Sequence, residues 1–318
     1  MTIPDALPKA IDAGKSFIVS THINPDADGV GASVALCWLL QKLGRRAQIV
    51  NSEHLPDNFR FLEGLFPIEK DLSMAALSAD TWMVLDASRL SRTGFQPPDQ
   101  PLCILNIDHH ADNERFGSCN WVDSKAPAVS EMVYWLIREF GFFPDPEIAE
   151  ALYAGILIDT GGFKFSNTGI RAFRVCAELA ENGLDCEKVY KRVFMDKSLG
   201  RLHLEGEIFR TCALELDGRV CIMQVTEATF RETGTGQADL EGISNLSTQL
   251  KGVEVGVVLI RREGRTKACL RSNGTVNVGK VAACFGGGGH AAAAGCTLDA
   301  SIEETRKRIL AEVAQILS

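Results

Sequence analysis

One apolar run limits the folds open to this chain. Leu102, Cys103, Ile104, Leu105 and Ile107 form a short hydrophobic segment that stops abruptly at Asp108, His109 and His110. A segment so short, ending in ionisable side chains, reads as a buried parallel strand that delivers them to the edge of a sheet. Open α/β sheets bind ligands at such edges. The same pattern recurs. His22, Asp26 and Asp28 follow Phe17-Ile18-Val19, Asp86 follows Met83-Val84-Leu85, and Asp159 follows Gly155-Ile156-Leu157-Ile158.

At 318 residues the chain exceeds the usual size of a single core, so two domains are expected. A net charge of -8 argues against a coat for long nucleic acid, which needs a broad basic footprint, and leaves room for a small basic cleft. None of the ten cysteines forms a C-x-x-C pair, and most sit in apolar runs, which favours reduced, buried thiols and a cytoplasmic protein. The sequence predicts no signal region and no membrane span.

Read in order, Phe17–Ser20 is a first strand, and residues 21–31 are a loop in which Pro25 keeps Asn24 extended and Asp26 and Asp28 flank a small Ala27. A helix is expected over 32–43, with strands at 47–50 and 81–85 and a short helix near 59–65. Arg89 and Arg92, just beyond Asp86, are available to phosphate. Helical patterns cover 128–140 and 147–158, the second apolar nearly all round and hence buried. An acid closing such a helix, Asp159, needs a partner or a metal. Residues 160–168 continue as a polar stretch suited to lining a cleft. Helices over 169–182 and 186–195 complete the first domain.

A helix over 199–212 is expected to connect to a smaller α+β domain. That domain begins with a hairpin signature around Asp217-Gly218 and continues with a helix near 240–250, strands at 253–261 and 266–270, and helices near 278–285 and from 301. Its distinctive stretch is Gly286-Gly287-Gly288-Gly289-His290, where consecutive glycines let backbone N–H groups turn together toward an anion. Arg271, Ser272 and Asn273 end the preceding strand and are placed to join the same cradle.

Together the first domain offers five carboxylates (Asp26, Asp28, Asp86, Asp108, Asp159) and three imidazoles (His22, His109, His110). Structural zinc sites favour thiolates, whereas an oxygen-rich set with a few histidines suits Mn²⁺ or a related ion, with Mg²⁺ or Co²⁺ as substitutes. There are ligands enough for two ions. A pair about 3.5–4 Å apart would activate a bridging water for attack on phosphorus, with Asp86 between them.

These residues resemble the DHH/DHHA1 phosphoesterases. The resemblance rests on H-x-N-P-D-A-D-G at His22–Gly29, the lone Asp86, Asp108-His109-His110, Asp159-Thr160-Gly161, and Arg271-Ser272 with the GGGGH run, and it covers residues 17–296. It implies a DHH catalytic domain over 1–197 with a mainly parallel sheet flanked by helices, a helical linker over 198–212, and a smaller α+β DHHA1 domain over 213–318. It implies metal binding by His22, Asp26, Asp28, Asp86, His109 and Asp159, with Asp108 orienting His109. His110 would contact the scissile phosphate, and Arg271 and His290 would hold substrate. Lys164 stands where relatives often have Arg, and Ala291 where many have Lys.

Within that family the chain resembles the short bacterial NrnA-type members. They act on very short RNA and on 3'-phosphoadenosine 5'-phosphate, so the expected partners are short RNA oligonucleotides and nucleotide bisphosphates. No long duplex and no membrane are expected, and a homodimer is allowed. The alternatives are a cyclic- or linear-dinucleotide phosphodiesterase, a RecJ-like single-strand DNA exonuclease, for which the chain lacks room for a further nucleic-acid-binding domain, and a nucleotide sensor without turnover. A sensor would have no need to keep every ligand position filled.

Overall fold

A computed structural model describes residues 2–317 except 77, 100, 241, 275 and 290. The chain divides into two compact units, residues 1–196 and 197–318.

The first unit is built on a six-stranded sheet. Its strands are β1 (Ser16–Ser20), β2 (Arg46–Val50), β3 (Ile68–Glu69), β4 (Thr81–Leu85), β5 (Cys103–Asp108) and β6 (Cys119–Val122). They are parallel throughout and lie in the order β3-β2-β1-β4-β5-β6. Its helices are α1 (Ala6–Ala13), α2 (Ala27–Lys42), α3 (Leu72–Ala76), α4 (Val129–Glu139), α5 (Pro146–Asp159), α6 (Ile170–Glu181) and α7 (Cys186–Tyr190).

Strands β1 and β4 are buried along their whole length, as their unbroken apolar sequences require. Val19, Met83, Leu85, Leu105 and Ile107 join a core with α2, α4 and α5, while Ile18, Trp82 and Val84 join another that includes Leu72 and Ala75. The chain winds outward in opposite directions from the β1–β4 pair. That reversal opens a crevice beyond the carboxyl ends of the two strands.

Helix α2 begins at Ala27, five residues before the expected start, because the Asp26 side chain accepts from the N–H groups of Asp28 and Gly29 and caps it. Asp28 therefore stands on the first turn of a helix, not in a loop. Two glycines allow this helix to sit deep in the unit. A Cβ at Gly31 would lie 2.3 Å from the Ala151 carbonyl oxygen, and one at Gly155 would lie 2.1 Å from Ser130 Oγ and 2.7 Å from Asp28 Oδ1. The glycines near the site thus serve helix packing.

The second unit comprises α8 (Leu199–Arg210), β7 (Ala213–Glu215), β8 (Val220–Val225), α9 (Glu227–Thr233), β9 (Val255–Arg262), β10 (Arg265–Ser272), α10 (Val278–Ala283), β11 (Gly288–Gly289), β12 (Ala293–Leu298) and α11 (Ile302–Leu317). Its sheet runs β11-β12-β10-β9-β8-β7, with only the β8–β9 pair parallel.

Within the expected linker 198–212, α8 buries Leu204 and Ile208 with Cys221, Met223 and Val258 of this unit's sheet. Two readings change. The Asp217-Gly218 hairpin carries a longer turn, residues 216–219, in which Leu216, Asp217 and Gly218 are all left-handed. In place of a helix over 240–250 stand two 3-10 turns, Gln237–Leu240 and Ile243–Thr248. After the glycine run, Ala293–Leu298 form β12, paired along β10. Among the described residues no cysteine forms a disulfide, and no helix is long and apolar enough to cross a membrane.

Candidate metal centre

The six residues expected to bind metal come together at the β1–β4 reversal. Three groups of ligand atoms lie within 4.8 Å of one another: His22, Asp26 and Asp86; Asp86, His109 and His110; and Asp28, His109 and Asp159. Asp86 and His109 each belong to two groups, so the set is continuous.

Each imidazole is turned by a hydrogen bond on its far side. His22 Nδ1 lies 2.7 Å from the Ile23 carbonyl and His109 Nδ1 lies 3.2 Å from the Ala126 carbonyl, so each donates there and directs Nε2 inward. His22 Nε2 is 3.3 Å from Asp86 Oδ2 and 3.7 Å from Asp26 Oδ2. His109 Nε2 is 3.5 Å from Asp86 Oδ1 and 3.1 Å from Asp159 Oδ2.

The expected role of Asp108 changes. It does not orient His109. Its Oδ1 lies 2.7 Å from His110 Nδ1, and its Oδ2 accepts from Asn113 Nδ2 at 2.6 Å, because the turn after β5 brings residue i+2 back over the strand end. Asn113 is held in turn by Asn106 Oδ1, and Asn106 donates to the Val84 and Ala87 carbonyls. This scaffold was missed at the sequence level, although a polar residue interrupting the β5 apolar run was its signal.

Asp28 is wholly buried and has a second task. Helix α4 has no side-chain cap of its own at Ala128, and Asp28 Oδ2 and Oδ1 accept from the Val129 and Ser130 N–H groups at 2.6 and 2.8 Å. An anion at the positive end of a helix satisfies N–H groups that otherwise have no partner. Asp159 closes α5, and Asn167 fixes its backbone by donating to its carbonyl and to that of Pro127.

The electrostatics show what the arrangement lacks. Burial pushes the Asp28 carboxyl up to about 7, with the Asp86 charge adding to it. Burial and the Asp28 charge hold Asp159 well above the usual carboxylate range. Burial disfavours the His109 imidazolium, yet Asp159, Asp86 and Asp28 outweigh it and push its pKa up to about 10. His22 is raised in the same way, against its burial, by Asp26 and Asp86. Asp86 itself adopts a left-handed backbone, φ 54°, and its Oδ1 is buried without a hydrogen-bond partner. A strained residue presenting an unsatisfied carboxylate oxygen inside a ring of acids and inward-facing imidazoles is the donor set of a divalent-cation site.

A pH prediction follows from these shifts. Imidazoles titrating above their ordinary range are protonated at neutral pH without metal, so an ion taking Nε2 must displace protons. Metal affinity should rise with pH, with a net release of protons near pH 7.5 from the raised imidazoles and the raised Asp28 and Asp159 carboxyls. Calorimetric titration in two buffers of different ionisation enthalpy measures this. A heat independent of buffer would mean that neither imidazole gives up a proton.

The remaining expected residues are placed as follows. Arg89 is half-exposed beside Asp112 and Glu114, at 3.5 and 3.6 Å. In the second unit, Arg271 pairs in register with Ala293, and Gly289 with Ala294, so Arg271 and Ser272 on β10 and Gly288 and Gly289 on β11 flank the same end of β12, which lies between their strands. Arg271 Nε donates to Asn245 Oδ1 at 2.9 Å. Ser272 Oγ accepts from Gly274 N–H. His290 lies outside the described residues.

Residues 16–156 match the family model for the DHH family, N-terminal domain, and residues 217–318 match that for the DHHA1 domain. The chain is 35% identical over 306 residues to the bifunctional oligoribonuclease and PAP phosphatase NrnA of Thermus thermophilus, covering 94% of this chain and 90% of that protein. It is 26% identical to the protein of the same name from Bacillus subtilis, over 91% of each chain. Among solved structures, an exopolyphosphatase-related protein from Bacteroides fragilis superposes with a TM-score of 0.91 at 25% identity, covering 98% of this chain and 95% of that one.

Proposed function

Because this chain belongs to the DHH family and carries a DHHA1 domain, we propose that it is a metal-dependent phosphoesterase that cleaves very short oligoribonucleotides to mononucleotides and 3'-phosphoadenosine 5'-phosphate to AMP. The observation that carries the reading is the Asp86 carboxylate: one oxygen faces His22, the other faces His109 and His110, and the latter oxygen is buried with no hydrogen bond. A carboxylate so placed would serve two neighbouring cation sites at once. Its similarity to bifunctional NrnA enzymes over nearly the full length supports the choice of substrates.

In this reading His22, Asp26 and Asp86 would hold one Mn²⁺, and Asp86, Asp28, His109 and Asp159 would hold a second. Two such ions supply a water activated at neutral pH and positive charge for the phosphate oxygens. The rest is done by side chains. Asp26 keeps Oδ1 on the α2 N-terminus and turns Oδ2 toward His22. Burial works against a charged His110, but its hydrogen bond to the Asp108 carboxylate outweighs it and raises its pKa, which favours a ring that would donate an N–H to the scissile phosphate. Arg89, Arg271, Ser272, Gly288, Gly289 and His290 bind the remainder of the substrate. Arg271 presents a permanently charged planar fork suited to phosphate. Replacing Arg271 by Ala should lower kcat/KM on diribonucleotides about a hundredfold, and a loss below threefold would remove it from the binding set.

The deciding experiment is a chelator-stripped preparation assayed on diribonucleotide, adenosine bisphosphate and a long RNA. Mn²⁺ should restore turnover better than Mg²⁺, which seldom takes histidine, and the two short substrates should be cleaved faster than the long one. Full activity with Mg²⁺ alone would reject the histidine ligands. Preference for the long strand would reject the short-substrate reading.

A further inference from the structure

We propose that Phe165 is a specificity-determining residue, a stacking platform for the nucleobase attached to the phosphate under attack, with Lys164 beside it as an accessory cation. This rests on the phosphoesterase reading of the metal centre. The turn that carries Phe165 starts directly after Asp159. Gly161 and Gly162 are both left-handed, and the N–H groups of Lys164 and Phe165 donate to the Thr160 carbonyl at 3.0 Å each. Asn167 ties the far end of the turn back to the Asp159 carbonyl. The ring is therefore positioned by the same backbone that positions a metal ligand.

Phe165 is also partly open to solvent. It is 40% exposed, while part of its ring lies so close to Gly161 that a Cβ there would sit 2.5 Å from it. Lys164 Nζ lies 5.3 Å from the ring centroid. Close by in sequence, Phe173 stacks on Phe163 with centroids 5.3 Å apart yet is 51% exposed, and Ile170, one helical turn earlier, is 73% exposed. An aromatic face kept in solvent, backed by glycine and accompanied by a cation, is how sequence-tolerant proteins hold single-stranded nucleotides, because every base has a π-face. Phe165 thereby selects substrates with a nucleobase over bare phosphate esters.

The test compares kcat/KM for a diribonucleotide with that for an analogue lacking the bases, using the wild type, Phe165→Leu and Phe165→Trp. Leucine keeps apolar packing against Gly161 without an aromatic face. The preference for the base-bearing substrate should fall about tenfold in the leucine variant and return in the tryptophan variant. In parallel, metal-stripped protein should quench a diribonucleotide carrying 2-aminopurine, and Phe165→Leu should lose that quench. Unchanged preference and quench in Phe165→Leu would overturn the assignment, and so would a change in oligomeric state on that substitution. If the wild type hydrolyses neither substrate while the quench persists, the phosphoesterase reading fails and the stacking site stands.

Discussion

Asp86→Asn should lose at least about a thousandfold in kcat/KM while its circular dichroism and melting temperature stay near those of the wild type. The size follows from several kcal/mol of charge stabilisation that a shared ligand makes available in the transition state. The silence of the fold follows from the geometry. Asp86 Oδ1 makes no hydrogen bond, so its replacement leaves no donor stranded there. Asparagine also tolerates the left-handed backbone at this position better than alanine would. A second readout is stoichiometric: bound Mn²⁺ should fall from two per chain to one or none. Near-normal turnover in a folded variant would remove Asp86 from the bridge.

The second large effect is one of packing. Gly155→Ala places a methyl group 2.7 Å from Asp28 Oδ1 and 2.9 Å from the Asp28 Cα, with Ser130 Oγ closer still. Neither helix can yield cheaply, because Asp28 is on the first turn of α2 and Ser130 on the first turn of α4. Overpacking of this kind costs about 1–3 kcal/mol, which in a unit of this size lowers the melting temperature by several degrees. Metal affinity should fall with it, since the displaced group is a ligand. Thermal melts with and without Mn²⁺ measure both, and a variant with wild-type melting and affinity would show that the helices have room to spare.

What could be read from the sequence follows from where the signals were local. Strands β1, β4 and β5 were legible because each carries a short apolar run, broken in β5 only by Asn106, that leads into a ligand-type residue. The end of α5 was legible for the same reason. The start of α2 was not, because Asp-Ala-Asp-Gly-Val-Gly reads as a loop until the Asp26 side chain is seen capping the helix. Edge strands β3 and β6 escaped because they are only two and four residues long. Strand β12 escaped because alanine and glycine carry little strand preference. The pairing of Asp108 with His110, and the Ala126 carbonyl that turns His109, depend on loop geometry that no spacing rule encodes.

The reversal of strand order between β1 and β4 has a consequence for assembly. His22, Asp26 and Asp28 come from the β1–α2 segment, whereas Asp86, His109 and Asp159 come from the half that winds the other way. No stretch shorter than residues 22–159 holds the whole donor set, and the two halves meet through the long-range parallel β1–β4 pairing and the packing of α2 against α4 and α5, contacts distant in sequence and slow to form. Metal capture is therefore a late event in folding. A nascent or partly unfolded chain has no complete cage in which to trap an ion, and uptake of the full complement reports that the whole first unit has closed around its sheet.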